Sequence, residues 1–295
     1  MYNSEYYVPS HITGFFVPFF SEDYLKTGST GAGVSLSSGL KTRIKIIEGG
    51  GKVDVFLNGS KAIKNNTPVS LKCLNIIKEK YPKYFFNKDV IIEHESDVPI
   101  GSGFGASASA ALGICFSIKD LIKISPRECI RIAHEAEVKS LSGLGDVVAE
   151  VKGGAEIRKT PGVDGIIENI PSDDLKVMAI SLGKKKTESV LKDSEKMKII
   201  EKCGSKLLKR LISEPNIERL MQCSKTFTYK TGIMSQEILD LVKIVGEVNS
   251  YDASGIMIGE GAFTFINKED ENRVLESIID IKGDIIVSPI ASGLL

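Results

Sequence analysis

The sequence predicts a mixed α/β fold of the α+β kind, with a β-rich start, a helical middle and a β-rich end. The first third alternates apolar and polar residues in short runs such as GVSLSSGL, TRIKII and VDVFLNG, separated by the glycines at 49–51. A period of two residues is typical of strands that bury one face. Longer apolar stretches of helical length follow in the middle, and the alternation returns near the C-terminus around one helix.

The elements of the first half are predicted from apolar spacing and from residues that begin helices. A helix is expected over 68–81, and a strand follows in VIIEHE. Small and apolar residues run from Ala106 to Ile122 without proline, which indicates a second helix, and Ser125-Pro126 begins a third. The loop PIGSGFG therefore lies between a strand and a helix.

The second half contains strand-like segments at GIIENI and KVMAISL, followed by three expected helices between residues 195 and 248. The sequence shows no internal repeat and no long linker between independent domains. A chain of 295 residues can bury a sufficient core without disulfides or a structural metal. We expect two packed parts, residues 1–165 and residues 166–295.

Charge and composition exclude several classes of function. Lys plus Arg and Asp plus Glu both number 38, so no overall field attracts nucleic acid or an anionic membrane. No basic N-terminal region precedes an apolar stretch, and no run of about 18 apolar residues occurs. The five cysteines are scattered singly, without the spacing of zinc ligands. We expect a cytoplasmic protein with reduced thiols and with neither a nucleic-acid nor a membrane partner.

The segment DVPIGSGFGASAS, residues 97–109, is the most informative part of the sequence. Gly101, Gly103 and Gly105 permit positive φ and let a ligand approach the backbone. The N–H groups and dipole at the start of the next helix favour an anion such as phosphate. The spacing is neither GxxxxGK[ST] nor GxGxxG, and Ser107 and Ser109 add hydroxyls that could bind Mg²⁺. The alternative is a tight turn whose small residues only allow close helix packing.

The pattern P-x-G-x-G-x-G-[AS]-S-A resembles the second signature of the GHMP kinases, a superfamily that includes galactokinase, homoserine kinase and mevalonate kinase. Within it, PSHITGFF (9–16), GSTGAGV (28–34) and GLGDVVA (143–149) resemble archaeal pantoate kinases and occur in that family's order. The resemblance implies the GHMP kinase fold, with an N-terminal part like ribosomal protein S5 domain 2 and a ferredoxin-like C-terminal part. It also implies a homodimer and the ATP-dependent phosphorylation of (R)-pantoate to 4-phosphopantoate, a step of coenzyme A biosynthesis.

The same resemblance implies roles for individual residues. Ser107 and Glu137, rather than Glu135, match the pair that binds Mg²⁺ in the superfamily. Asp146 matches the aspartate that accepts or orients the proton of the substrate hydroxyl, although its place after a glycine turn equally fits a helix cap. The residues expected to hold ATP are those of the loop: Pro99, Gly101, Ser102, Gly103, Gly105, Ala106, Ser107 and Ala108.

Pantoate carries a carboxylate, so its site is expected to supply a cation and hydrogen-bond donors. Arg158 is the first candidate, and Ser29 and His134 could complete the recognition of the carboxylate or a hydroxyl. Each also has an ordinary structural interpretation: Arg158 as a surface residue, Ser29 as a turn former and His134 as a partner of Glu137.

Three further features are interpreted without a role in binding. His11 lies in an apolar stretch and is expected to be a core histidine. The lysines at 184–186 are expected to form a solvated loop. The third GHMP signature is represented only by Gly259-Glu260-Gly261-Ala262, whose glutamate would face a phosphate poorly.

Other functions remain open on the sequence alone, because fold does not settle function. A GHMP kinase could act on mevalonate, homoserine or shikimate, and a GHMP-fold regulator could have lost catalysis. The joint presence of Ser107, Glu137 and Asp146 argues against the regulator. A ribosome-associated role, suggested by the S5-like part, is disfavoured by the zero net charge.

Overall fold

The computed structural model describes residues 1–62, 67–184 and 194–295, which form two β-sheets with helices packed against them. The strands are β1 (Tyr2–Phe19), β2 (Gly28–Glu48), β3 (Val53–Leu57), β4 (Ser60–Lys61), β5 (Lys88–Ser96), β6 (Ala155–Arg158), β7 (Ile167–Ile170), β8 (Lys176–Gly183), β9 (Ser254–Gly255), β10 (Glu260–Ile266) and β11 (Asp284–Pro289). The helices are α1 (Pro68–Lys80), α2 (Ala106–Ile122), α3 (Pro126–Lys139), α4 (Asp146–Lys152), α5 (Ser194–Ser213), α6 (Ile217–Thr231), α7 (Gln236–Val248) and α8 (Asp270–Ser277). The mixed α/β class is confirmed.

Several predicted helix ends are confirmed by their capping contacts. The Ser125 side chain accepts a hydrogen bond from the Glu128 N–H at 3.2 Å, and Pro126 occupies the first turn of α3. At the break predicted near residues 214–215, Asn216 caps α6 by accepting from the Arg219 N–H at 2.8 Å. Gly232 then ends α6 in the left-handed conformation that glycine tolerates best.

The first sheet has the strand order β4-β3-β5-β2-β6-β7, and β1 pairs with β2 along its whole length. The 21-residue strand β2 spans the sheet: residues 31–34 pair with β6, whereas residues 40–48 pair with β5. The sheet continues through β7 to Ile170, beyond the boundary placed at residue 165.

Strand β1 contains two bulges that surround a polar segment. The pairing register with β2 shifts between Pro9 and Ser10 and again between Thr13 and Phe15. Bulges redirect side chains and are common beside active sites. His11 and Thr13 lie between the two shifts and, being two residues apart, point to the same face.

The second sheet has the order β11-β8-β10-β9 and is antiparallel throughout. Numbered within this part as strands 1 to 4, the order is 4-1-3-2, with helices after the first strand and before the last. This is the β-α-β-β-α-β arrangement of ferredoxin-like folds, which confirms the predicted topology.

A shared apolar core joins the two sheets. Phe15 of β1, Ile157 of β6, Phe227 of α6 and Phe263 of β10 are all buried in one cluster. The five cysteines are free thiols, as expected. Among the described residues, no helix combines the length and the hydropathy needed to cross a bilayer.

Candidate active site

A cleft of about 260 Å³ lies between the glycine loop, the start of α1, the turn that precedes α4 and a turn of the C-terminal part. The loop contributes Ile100, Gly101 and the stretch 103–107, and the turn before α4 contributes residues 142–146. Met257 and Ile258 form the wall that comes from the C-terminal part. Ligand sites are concave and carry a few convergent polar groups on an apolar lining, and this cleft has that form.

The glycine loop takes the conformation that its sequence predicts. Gly101, Gly103 and Gly105 have φ of +83°, +88° and +66°. Gly105 is the N-cap of α2 and supplies no side-chain cap, so the first N–H groups of this 17-residue helix are open to a ligand. Their partial positive charge favours an anion.

The predicted ATP-binding residues divide into two groups by position. Gly101, Gly103, Gly105, Ala106 and Ser107 line the cleft. Ser102 and Ala108 are buried behind the loop, and Pro99 is partly buried at its start. The cleft-facing group is therefore the one that can present backbone N–H groups to a phosphate.

Ser107 and Glu137 form a pair at the start of α2. The Ser107 Oγ donates to the Glu137 Oε1 at 3.0 Å, and Glu137 is fully buried. Its other oxygen, Oε2, has no hydrogen-bond partner among the described residues. Burial, reinforced by the charge of Asp146, raises the pKa of Glu137 well above its ordinary value.

This pair fits a hard cation. A buried carboxylate oxygen without a partner, beside a hydroxyl, is a donor set that Mg²⁺ accepts. No group of three His, Cys, Asp or Glu side chains in the described ranges is arranged around a common metal position. Two protein ligands completed by substrate phosphates and waters are the usual arrangement for Mg²⁺ in kinases.

Asp146 is the first residue of α4, and its side chain points to β1 instead of capping the helix. Gly145 is the N-cap, without a side-chain cap. The Asp146 Oδ1 accepts a hydrogen bond from the His11 Nδ1 at 2.8 Å, with the Thr13 Oγ1 at 3.5 Å. The helix-cap alternative is therefore wrong, and the carboxylate, 23% exposed, faces the cleft.

His11 is held between two carboxylates. Its Nδ1 faces Asp146 and its Nε2 faces the Glu156 Oε1 at 3.1 Å, so both ring nitrogens have an acceptor. Burial opposes the charged imidazolium, but Glu156 and Asp146 together raise the pKa of His11 above its ordinary value. Burial alone would also raise the pKa of Asp146, yet His11, with Arg158 behind it, holds that pKa below its ordinary value.

Arg158 lies beneath this network and is only 1% exposed, so the interpretation as a surface residue is wrong. Its guanidinium pairs with Glu156, and its Nη2 donates to the Thr13 Oγ1 at 3.3 Å. Its Nε has no partner among the described residues. A Cβ placed on Gly145 would lie 3.1 Å from this Nε and 2.5 Å from the Ser29 Oγ, so both donors converge behind Gly145.

Ser29 lines the cleft, whereas His134 is buried behind it. The His134 Nε2 donates to the carbonyl oxygen of Thr27 at 2.8 Å, and no hydrogen bond to Glu137 is described. Burial lowers the pKa of His134, which favours the neutral ring. The structure thus places His134 where it supports the backbone two residues before Ser29.

Glu150 is a third fully buried carboxyl group of the site, after Glu137 and Glu156, and lies one turn after Asp146. Its Oε1 accepts from the Ser109 Oγ at 3.0 Å, and its Oε2 has no partner among the described residues. A Cβ on Gly105 would lie 2.5 Å from the Oε1, so the carboxyl group lies directly under the loop. Burial, with the charges of Asp146 and Glu137, raises the pKa of Glu150 well above its ordinary value.

The C-terminal glycine segment contacts the loop through backbone. A Cβ on Gly259 would lie 2.3 Å from the carbonyl oxygen of Ser102 and 3.2 Å from the Gly103 Cα. The Glu260 side chain accepts from the Ser235 hydroxyl at 3.0 Å. Ile258, on the cleft wall, has φ of +61°, which is rare and strained for a β-branched residue.

Sequence reasoning missed His11, Thr13 and Glu156. Two signals were available: polar residues at alternate positions of one strand, and the Glu-x-Arg pattern in AEIR, where Glu156 and Arg158 must share a face. Of the lysine run, Lys184 is exposed, and residues 185 and 186 lie outside the described residues.

Comparisons with known proteins identify the family of the chain. Residues 69–154 match the family model for the GHMP kinases N terminal domain. The chain is 35% identical over 279 residues to a pantoate kinase of Thermococcus kodakarensis, covering 93% of this chain and 91% of that protein. It is 34% identical to a pantoate kinase of Methanocaldococcus jannaschii, covering 89% and 93% respectively.

Solved structures show the same likeness. One described as a phosphotransferase related to the CoA biosynthesis pathway has a TM-score of 0.89 and 32% identity, covering 98% of this chain and 96% of that one. A mevalonate kinase from Methanococcus jannaschii has a TM-score of 0.68 at 17% identity and shows the fold alone.

Proposed function

Because this chain belongs to the pantoate kinase family of the GHMP kinases, we propose that it transfers the γ-phosphoryl group of ATP to the primary hydroxyl of (R)-pantoate. The reaction yields ADP and 4-phosphopantoate, a precursor of coenzyme A. The family gives the reaction, and the site suggests how the residues divide the work.

The observation that carries the proposal is the convergence of two different carboxyl groups above Gly143. A Cβ on Gly143 would lie 2.6 Å from the Glu137 Oε1 and 3.0 Å from the Asp146 Oδ2. Glu137 is paired with Ser107, whereas Asp146 is paired with a histidine. Glu137 is suited to bind a metal ion, and Asp146 is suited to accept a proton. Phosphoryl transfer to an alcohol needs both functions at one place.

ATP fits the cleft in one direction. The phosphates lie along the glycine loop, against the N–H groups at the start of α2. The cleft extends from the loop to Leu57, Val69 and Ala110, an apolar end that suits the adenine ring. The γ-phosphate is then at the opposite end, beside Ser107 and Asp146.

Ser107 and Glu137 would hold Mg²⁺, which supplies charge neutralisation for the β- and γ-phosphates when bound. The raised pKa of Glu137 belongs to the protein without a cation, and a bound cation would favour the carboxylate. The protein therefore contributes a preformed pair of oxygen ligands, from Ser107 and Glu137, and the Glu137 carboxyl group becomes fully ionised when the cation binds.

Asp146 receives the proton. As the C4 oxygen of pantoate attacks the γ-phosphorus, the bond from that phosphorus to the bridging oxygen breaks and ADP leaves. The hydroxyl proton passes to the Asp146 Oδ2, because its Oδ1 already accepts from His11. His11 keeps Asp146 ionised and oriented, and Glu156 and Arg158 hold His11 in place.

Pantoate recognition is assigned to the wall beside Asp146. The Ser29 Oγ, which lines the cleft, is the donor proposed for the carboxylate, and His134 supports the Ser29 segment from behind. Arg158 is buried behind Gly145 and would add positive charge from there. Pantoate also carries two methyl groups next to the reacting carbon. Met257 and Ile258 offer apolar surface there, since the Met257 N–H is bonded to the Thr13 carbonyl oxygen at 3.1 Å.

Assembly and location are further parts of the proposal. A homodimer in the cytoplasm is what the family resemblance implies, and sedimentation of the purified protein tests the dimer directly.

The test of function measures ADP release with Mg-ATP and each of five acceptors: pantoate, pantothenate, mevalonate, homoserine and shikimate. We expect turnover with pantoate. Turnover only with another acceptor, or with none, would reject pantoate as the substrate.

A substitution tests the role of Asp146. In Asp146→Asn, kcat should fall by about 10²- to 10⁴-fold, the usual range for loss of a general base, while ATP binding measured by calorimetry stays unchanged. Asp120→Asn is the control, because the Asp120 side chain is 82% exposed and pairs with the neighbouring Lys119. Unchanged kcat in Asp146→Asn would remove Asp146 from proton transfer.

A further inference from the structure

Lys184, at the end of β8, lies against the glycine loop. A Cβ placed on Gly101 would lie 3.5 Å from the Lys184 Cδ, 3.6 Å from its Cγ and 3.8 Å from its Cβ. The aliphatic stem of the lysine therefore runs beside Gly101, at the distance where an added methyl group would touch it. A stem packed in this way leaves the ammonium free to project beyond it.

The charge of Lys184 has no carboxylate partner in the described part of the chain. Lys176, at the other end of the same strand, pairs with Glu271 at 2.9 Å. A lysine whose stem is packed and whose charge is unpaired is suited to an anionic ligand.

The loop itself lacks a full positive charge. Helix-terminal N–H groups supply only partial charge, and no lysine follows the glycines in sequence. The guanidinium of Arg158 is already paired with Glu156, and Glu137 and Asp146 add negative charge to the cleft. Phosphate loops of other kinases are completed by a lysine.

We propose that Lys184 is a nucleotide-binding residue, contributed by the C-terminal part, whose ammonium binds the phosphates that remain on ADP. Gly101 lies against Lys184, whereas Gly105, at the other end of the loop, lies against His11, the partner of Asp146. The ammonium is therefore placed at the phosphates that are not transferred. The inference rests on the proposed function, because it takes the ligand of the loop to be ATP.

The experiment compares nucleotide binding by calorimetry in the wild type and in Lys184→Gln. The dissociation constant for ADP should rise by about 10-fold, the low end for a charge-assisted hydrogen bond. Lys184→Arg should restore most of the affinity. The control Lys176→Gln removes the lysine at the opposite end of β8 and should bind ADP as the wild type does.

Adenosine separates phosphate binding from support of the loop. It carries no phosphate, so Lys184→Gln should bind it as tightly as the wild type does. Unchanged ADP affinity, or an equal loss for ADP and adenosine, would overturn the proposal. These results are independent of the acceptor: a protein that fails to phosphorylate pantoate would refute the proposed function while leaving the ADP comparison decisive for Lys184.

Discussion

His11 offers the sharpest test of how the site works, because its proposed effect is visible in a pH profile. The His11 Nδ1 lies 2.8 Å from the Asp146 Oδ1, and the imidazolium helps to hold the pKa of Asp146 below its ordinary value. His11→Asn retains a short donor but removes the charge. The carboxylate then loses its nearest cation, so the pKa of Asp146 must rise.

The size of the change follows from the neighbours that remain. One opposite charge at this distance shifts a carboxyl pKa by about one to three units. Arg158 and Thr13 remain beside Asp146 in the variant, so we expect about one to two units. A general base must be ionised, and the acid limb of kcat/KM for pantoate should therefore move to higher pH by that amount.

The assay measures kcat/KM for pantoate across the pH range where the protein stays folded. The ratio of variant to wild type cancels the titration of pantoate itself. His94→Asn is the matched control, because His94 is also buried and borders the cleft, but its ring nitrogens bond to the hydroxyls of Thr42 and Ser70 instead of to carboxylates. It should leave the acid limb in place.

The reasoning would be refuted if kcat/KM for pantoate fell at the same acid pH in His11→Asn as in the wild type, while thermal unfolding was unchanged. His11 would then be a core histidine that supports β1, as the sequence alone suggested. A uniform fall in kcat without a pH shift would indicate a displaced Asp146 with an unchanged pKa.

Two further substitutions test the surroundings of the loop. Gly103→Ala would place a methyl group 2.6 Å from the Ile256 Cγ2 and 3.0 Å from the Gly259 Cα, at a φ of +88°. We expect the free energy of unfolding, measured by denaturant titration, to fall by about 1–3 kcal/mol and the KM for ATP to rise. Gly59→Ala, at a φ of +76° with open space around it, should lose only the conformational part, and equal losses would contradict the steric argument. Glu150→Gln should reduce the pH dependence of stability. Because the pKa of Glu150 is raised, the folded chain keeps a proton that the unfolded chain releases. The stability of the wild type therefore falls as pH rises from about 4.5 through the pKa of the folded state. Melting temperatures at acid and alkaline pH check this, and an unaltered difference between the two would show that Glu150 does not titrate in this range.

The helices, the strand before the glycine loop and the positive φ of the loop glycines were predictable from sequence, because each depends on local chemistry. Helix α3 begins where Ser125-Pro126 indicates, and α2 has the predicted bounds. The partnership of Ser107 with Glu137 was available only through the family resemblance, since 30 residues separate them.

The histidine network could not be predicted from local patterns. His11 contacts Asp146 across 135 residues of sequence, and its position depends on two bulges in β1. Pro9 and Gly14 are compatible with these bulges, but they do not indicate which side chain the bulges bring to Asp146. Apolar neighbours made His11 look like a core residue, and it is indeed fully buried. The sequence pattern does not reveal that two carboxylates, those of Asp146 and Glu156, contact the buried ring and favour its charged form.

The close approach of the Gly103 and Gly259 backbones limits which sequences the two parts of the chain can combine. The two backbones meet with no side chain between them, so neither side can compensate for a bulkier residue on the other. A hybrid chain that joins the N-terminal part of one relative to the C-terminal part of another must inherit both glycines and the spacing on each side of them. Recombination between relatives is therefore restricted where these two segments meet, even though they are 156 positions apart in the chain.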